Sequence, residues 1–240
     1  MITVKLVLGS GGHSPPERIA VLRRTVRRTF GERVQNVLYL PYAQIDPDVG
    51  ADDWVDNHFD ADYEIYPLHW SKEPRRAIEK AEAFFVDGGQ TFLLLKTLYD
   101  LDLLSILRER VLAGVPYMGV SAGTNIACPT IATTNDMPIV WPQSSKALDL
   151  VPFQINTHYI DPHRKVVHRG ETRDERISEY HCFHERPVIG LREGAILIVD
   201  GEPKNLRVRL HGTAGARLFR RGQQPLDVAP GRNLTSLLIP

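Results

Sequence analysis

Along the first half of the chain, short aliphatic and β-branched runs alternate with segments whose apolar positions recur every three or four residues. That alternation predicts a parallel sheet covered by helices on both faces. Val4 to Leu8 reads as the first strand and Glu17 to Phe30 as an amphipathic helix, with Ile19, Leu22, Val26 and Phe30 on one stripe and Gly31 at its end. Val34 to Leu40 predicts a strand, Asp52 to Phe59 a short helix, Tyr63 to Tyr66 a strand and Pro74 to Glu82 a helix. Ala83 to Val86 then forms a strand closing on Asp87-Gly88-Gly89. Thr91 to Tyr99 and Leu101 to Ala113 are helical, and Tyr117 to Val120 is a strand.

After Ser121 the pattern changes. Val188 to Leu191, Ala195 to Asp200, Leu206 to Leu210 and Ala216 to Arg220 predict short strands divided by turn residues, so the C-terminal quarter is β-rich. Between the halves, Thr130 to Arg173 reads as one long irregular stretch, which in a compact domain points to active-site loops. With no repeat or linker, residues 1–240 read as a single domain. Lysine plus arginine and aspartate plus glutamate both count 29, which gives no global pull toward nucleic acid or an anionic membrane. No apolar run approaches the roughly 20 residues of a membrane span. Two cysteines and no export segment imply a reducing, cytoplasmic setting.

The sharpest local signal is Gly119-Val120-Ser121-Ala122-Gly123, which follows a strand and precedes a helix-compatible segment, the context of a nucleophile elbow. A sharp strand-to-helix turn strains the serine backbone, and a glycine two residues to either side removes side chains that would clash. The amide of Ala122, at the helix N-terminus, is placed to stabilise an oxyanion. Gly89, after Gly88, supplies a second bare amide at the end of the neighbouring strand. Another glycine loop, Gly9-Ser10-Gly11-Gly12, lacks the last glycine of a dinucleotide fingerprint, since Ser14 stands there and Pro15-Pro16 follow. No nucleotide or other cofactor is expected.

A serine needs a histidine to take its proton and a carboxylate to fix the tautomer of that histidine. Nine histidines are present. His158, in the polar region after the elbow, leads, with His163 and His168 as rivals, whereas His13, His58 and His69 precede the elbow. Asp136, Asp161 and Glu193 are all candidate acids, and spacing does not choose among them. His181-Cys182-Phe183-His184-Glu185 has metal-ligand residue types but no second ligand pair at zinc spacing, so it predicts a helix end and no metal.

At this point the residues resemble peptidase E, the aspartyl dipeptidases. The likeness rests on Gly119 to Gly123, Cys128-Pro129-Thr130, Thr133 to Val140, Asn156-Thr157-His158 and Gly170-Glu171-Thr172-Arg173. The opening Gly-Ser-Gly loop, Asp87 to Phe92 and Gly190 to Gly194 extend it over most of the chain. The resemblance implies an α/β fold of the class I glutamine amidotransferase-like, flavodoxin-like kind, a sandwich with a mostly parallel central sheet. Serine would stand where those amidotransferases carry cysteine. It implies a triad of Ser121, His158 and Asp136, with Glu193 as the alternative acid, and substrate contacts at Gly88, Gln90 and Arg173. It also implies a small Asp-X peptide as substrate and a homodimer with the site near its interface, while the charge balance and the lack of a long apolar run imply no nucleic-acid or membrane partner. Gln90 departs from the asparagine that the family more often shows beside the paired glycines. The competing readings are a cyanophycinase-like peptidase, an esterase of the α/β-hydrolase kind, and a binding module that kept the fold without the chemistry.

Overall fold

The computed structural model describes residues 3–11, 14–48, 63–162 and 170–239. The segment predicted as a helix from Asp52 to Phe59 lies outside them, as do His13, His58, His163 and His168. The central sheet has seven strands. Five are parallel: β1 (Val4–Gly9), β2 (Asn36–Leu40), β3 (Glu64–Pro67), β4 (Ala83–Val86) and β5 (Tyr117–Val120). Two long antiparallel strands, β8 (Ala195–Glu202) and β9 (Asn205–Gly212), extend it past β1, giving the order β3-β2-β4-β5-β1-β8-β9.

Both faces of the inner strands are covered, which is why β1, β2, β4 and β5 read as nearly continuous apolar runs, whereas the edge strands β3 and β9 alternate more buried with more exposed residues. Alternate residues serve the two sides, as the pleat requires. Val7, Val37, Tyr39, Phe85, Met118 and Val120 meet Leu22, Val26 and Phe30 of helix α1 (Pro16–Phe30) on one face. Leu6, Leu8, Leu38, Leu40, Phe84, Val86 and Tyr117 face the other side. There they meet α2 (Pro74–Lys80), α3 (Thr91–Asp100), α4 (Leu104–Leu112) and α5 (Ala122–Ile126). A second sheet shares that core, with order β11-β10-β7-β6, built from β6 (Gln154–Asn156), β7 (Val188–Leu191), β10 (Ala216–Phe219) and β11 (Leu226–Val228). The remaining helices are α6 (Arg173–Phe183) and the short α7 (Thr235–Leu238). No helix among the described residues is long and apolar enough to cross a membrane.

The structure departs from the sequence pattern in several places, among them β11 and α7, which the pattern did not predict. The helix predicted from Leu101 starts at Leu104, because Asp102 takes a left-handed conformation (φ 52°) that breaks the run. The stretch from Thr130 to Arg173 is not wholly irregular, since it holds β6, whose three residues are too few to set a period. Its last residue opens α6. That helix buries only Ile177 and His181, so its stripe is faint, and its legible signal is the capping box in which Thr172 and Glu175 satisfy each other's backbone N–H groups. Thr172→Ala should therefore lower the unfolding free energy by about 1 kcal/mol. Urea denaturation of the two proteins measures it, and an unchanged midpoint would show that packing alone holds α6.

Candidate active site

The parallel strands all end at one edge of the sheet, the edge where open α/β sheets bind ligands. Residues 9–11 at the end of β1, 87–89 after β4 and 121 after β5 meet there. Ser121 follows β5 with φ 52° and ψ −108°, a conformation costly for a residue with a side chain, and α5 begins at once behind it. A Cβ on Gly119 would lie 2.5 Å from the Gly123 carbonyl oxygen, and one on Gly123 would lie 2.1 Å from that of Val86. The turn closes only because both lack one. Ser121 N–H donates to Gly9 O at 3.1 Å, the Thr124 hydroxyl donates to Gly9 O at 2.7 Å, and Gly123 N–H donates to Asp87 O at 3.1 Å.

His158 lies just beyond β6 and also has a positive φ, 51°. Its Nε2 is 2.7 Å from Ser121 Oγ, while its Nδ1 bonds Glu193 Oε1. With Nδ1 protonated toward the carboxylate, Nε2 is left as the acceptor for the serine proton. The His158 and Glu193 side chains are 41% and 42% exposed, so the pair contributes orientation more than stability. The backbone of His158 is held by the buried Ser10, whose hydroxyl accepts from His158 N–H at 2.9 Å and donates to Leu191 O at 2.8 Å. Gly11 makes room for the ring, since a Cβ there would stand 2.5 Å from His158 Cε1.

It is Glu193, and not the Asp136 put forward from the resemblance, that the structure places against the imidazole. Asp136 Oδ2 accepts from Thr91 N–H at 2.7 Å and so caps the start of α3. Glu193 reaches the imidazole because its turn joins β7 to β8. Gly194 N–H donates to Gly11 O at 2.9 Å, and Tyr159 N–H, next to the histidine, donates to Leu191 O at 2.9 Å. Asp161 is taken by Arg192, through Nε at 2.7 Å and Nη2 at 2.6 Å.

Two further residues of the expected substrate site are bonded within the protein. Gln90 uses both ends of its amide within the protein: Oε1 accepts from Phe92 and Leu93 N–H at the start of α3, and Nε2 donates to Met137 O. Gly88 N–H donates to Asp87 Oδ1 at 2.6 Å, and Gly88 O accepts from Gln44 at 2.8 Å, so its backbone is spoken for. Gly89 and Ala122, in contrast, offer N–H groups with no acceptor among the described residues. Gly89 is at φ 129°, and a Cβ there would sit 2.5 Å from Ala43 O. A serine with its base and two bare donors from neighbouring strand ends can attack a carbonyl and hold the resulting oxyanion.

Arg173, at the start of α6, is half-buried and makes no ion pair among the described residues. Burial, then the nearby Arg176, pushes its guanidinium below its ordinary pKa. Its acidic neighbours are engaged elsewhere: Glu171 lies 3.5 Å from Arg176, and Asp174 lies 3.4 Å from Arg217 and accepts from the Tyr159 hydroxyl at 2.5 Å. His181 is buried within α6 and His184 caps it, and no metal-binding cluster occurs among the described residues. Burial raises the Cys128 thiol to about 12, which makes it inert as a nucleophile. Sequence reasoning missed Ser10, Gly11 and Asp87. Their signal was the glycine-rich strand ends, which marked close approaches without naming what approaches.

The sequence pattern of Peptidase family S51 matches residues 6–207. A probable alpha-aspartyl dipeptidase of Drosophila melanogaster is 45% identical over 206 residues, which cover 85% of this chain and 84% of that one. Peptidase E of Streptomyces coelicolor is 46% identical over 200 residues, 83% of this chain and 81% of its own. In fold, the chain is similar to a peptidase from an acI-B1 Actinobacterium, with a TM-score of 0.68 and 15% identity over 96% of both chains. It is also similar to a putative peptidase E of Listeria monocytogenes, with a TM-score of 0.61 and 22% identity over 88% of this chain and 100% of that one.

The geometry predicts how a serine-reactive phosphonate labels the protein. Labelling should fall on Ser121 and vanish in His158→Ala. Glu193→Gln should slow it by at least tenfold more than Asp136→Asn does, because only Glu193 touches the imidazole. Mass spectrometry of timed samples measures the rates, and the reverse ranking would return the orienting role to Asp136.

Proposed function

This chain belongs to peptidase family S51, and we infer that it is a serine-type dipeptidase that removes an N-terminal aspartate from Asp-X dipeptides, with Ser121, His158 and Glu193 as its catalytic residues. The observation that carries the assignment of residues is the Ser121–His158–Glu193 relay beside the free amides of Gly89 and Ala122. In this reading, Ser121 Oγ attacks the aspartyl carbonyl carbon while its proton passes to His158 Nε2, and the carbonyl oxygen becomes an anion held by the two amides. The intermediate collapses as His158 returns that proton to the leaving amine, which departs as the free second residue. Water, deprotonated by His158, then attacks the acyl-enzyme. Aspartate leaves and Ser121 regains its proton.

Selection of aspartate requires a fixed cation for its side-chain carboxylate. Arg173 is the candidate, because a guanidinium pairs both carboxylate oxygens and this one stands half-buried with its acidic neighbours already engaged. Cytoplasmic residence belongs to the same reading, supported by Cys128 and Cys182 as free thiols. The zero net charge supports the absence of a nucleic-acid partner. A homodimer with the site near its interface is a further part, supported by the exposed apolar side chains of Met137, Ile139 and Trp141 on a segment bonded to Gln90 and Thr91. Sedimentation at the mass of two chains is expected, and a single-chain mass at micromolar concentration would remove the dimer from the proposal.

Steady-state kinetics on Asp-Leu, Asn-Leu and Ala-Leu test the activity. The protein should hydrolyse Asp-Leu with a kcat/KM orders of magnitude above that for Ala-Leu. Ser121→Ala should lower kcat by up to about a million-fold. Arg173→Ala should cost about 2 to 5 kcal/mol in kcat/KM for Asp-Leu and far less for Asn-Leu. Equal losses on all three dipeptides would show that Arg173 supports the fold and does not read the substrate.

A further inference from the structure

Asp87 is the one carboxylate among the described residues that is fully buried at the catalytic edge of the sheet, 1% exposed, and the proton relay does not use it. It follows β4 and immediately precedes the Gly88-Gly89 turn. Three donors converge on its carboxylate: Gly88 N–H at 2.6 Å on Oδ1, and the Tyr39 hydroxyl at 2.7 Å and Gln44 Nε2 at 3.4 Å on Oδ2. Gln44 also donates to Gly88 O at 2.8 Å, so one side chain grips both the carboxylate and the peptide that follows it. On the opposite side, the Asp87 carbonyl accepts from Gly123 N–H in the elbow, and Ala43 O accepts from Gln90 N–H at 2.8 Å. The turn is thereby fastened at both ends.

The arrangement has a consequence for which amide is presented. Asp87 captures Gly88 N–H, so the next amide, Gly89 N–H, is the one left without an acceptor among the described residues, and the turn runs close to the serine: a Cβ on Gly88 would lie only 3.2 Å from that of Ser121. We propose that Asp87 is a positioning residue that, with Tyr39 and Gln44, sets the Gly88-Gly89 turn so that Gly89 N–H is aimed at the oxyanion. Burial pushes the Asp87 carboxyl above its usual range, against the pull of the Tyr39, Gly88 and Gln44 hydrogen bonds. Burial, and then Asp87, pushes the Tyr39 hydroxyl up as well. Among the described residues no cation pairs with this buried carboxyl, and its partners are the Gly88, Tyr39 and Gln44 donors of the turn itself.

The inference rests on the hydrolase reading of the same site, and the test separates the two. Asp87→Asn leaves one acceptor oxygen where Gly88 N–H and the Tyr39 hydroxyl need two, and turns an amide N–H₂ toward a donor. A displacement of about 1 Å at a catalytic group can cost about a hundredfold in rate. Asp87→Asn should therefore lower kcat on Asp-Leu by about 10- to 100-fold with KM within twofold. Binding of a boronic-acid analogue of aspartate, which forms a tetrahedral adduct on Ser121, should weaken in parallel. Phosphonate labelling of Ser121 should slow by a similar factor, and this readout holds even if Asp-X is not the substrate. Tyr39→Phe, which keeps the ring stacked on Phe85 and removes one donor, should show the same split at smaller amplitude, and it decides the matter if Asp87→Asn does not fold. Unchanged kcat and labelling in a folded Asp87→Asn protein, or a loss confined to KM, would overturn the proposal.

Discussion

The end of β1 is the point on which the site depends, because its three residues bond to every element that carries a reacting group. Gly9 O receives the amide of Ser121 and the hydroxyl of Thr124, Ser10 Oγ receives the amide of His158, and Gly11 O receives the amide of Gly194 beside Glu193. Serine and histidine are 37 residues apart in the chain, and histidine and glutamate 35, so no local turn could bring them into register. A strand in the middle of the sheet can, since its position is set by pairing with β5 on one side and β8 on the other. The bare backbone of Gly11 lets the His158 ring come against it, which a side chain there would prevent.

That bracing explains how a solvent-accessible relay keeps its geometry. The His158–Glu193 pair is open enough to water that its attraction is weakened, and the attraction alone would hold neither side chain to one rotamer. The backbones on either side do the holding instead. Ser121 and His158 both sit at positive φ, a strain of order 1–3 kcal/mol each. The packed edge of the sheet offsets it with buried hydrogen bonds through Ser10, Thr124 and Tyr117. The site is an arrangement of strand ends held in place by hydrogen bonds to their backbones.

The oxyanion side follows the same logic one strand away. Asp136 and Gln90, which looked like chemistry, fasten the start of α3 and the segment leading to Met137, while Asn135 reaches Thr157 O at 2.5 Å beside the histidine. One loop thus links the donor side of the site to the base side. Polar residues close to a catalytic centre can be spent wholly on holding loops, and residue type does not separate them from those that act.

The chain by itself determined the layered α/β pattern, the elbow at Ser121 and the amides of Gly89 and Ala122, because each is written in contiguous residues: apolar runs of set period, or glycines at fixed offsets from a serine. The resemblance to peptidase E, carried by such contiguous motifs, also named His158. Which carboxylate stands against His158, Glu193 and not Asp136, was decided only by the tertiary structure, as were the hydrogen bonds that Gln90, Ser10 and Asp87 make and the close approach at Gly11. Each depends on which strand ends lie side by side, and side-by-side placement is set by the order of strands in the two sheets. A carboxylate in a turn carries no mark of the imidazole it will meet. Only the pairing of Leu191 with the His158 segment, and of Gly194 with Gly11, brings the two within a hydrogen bond.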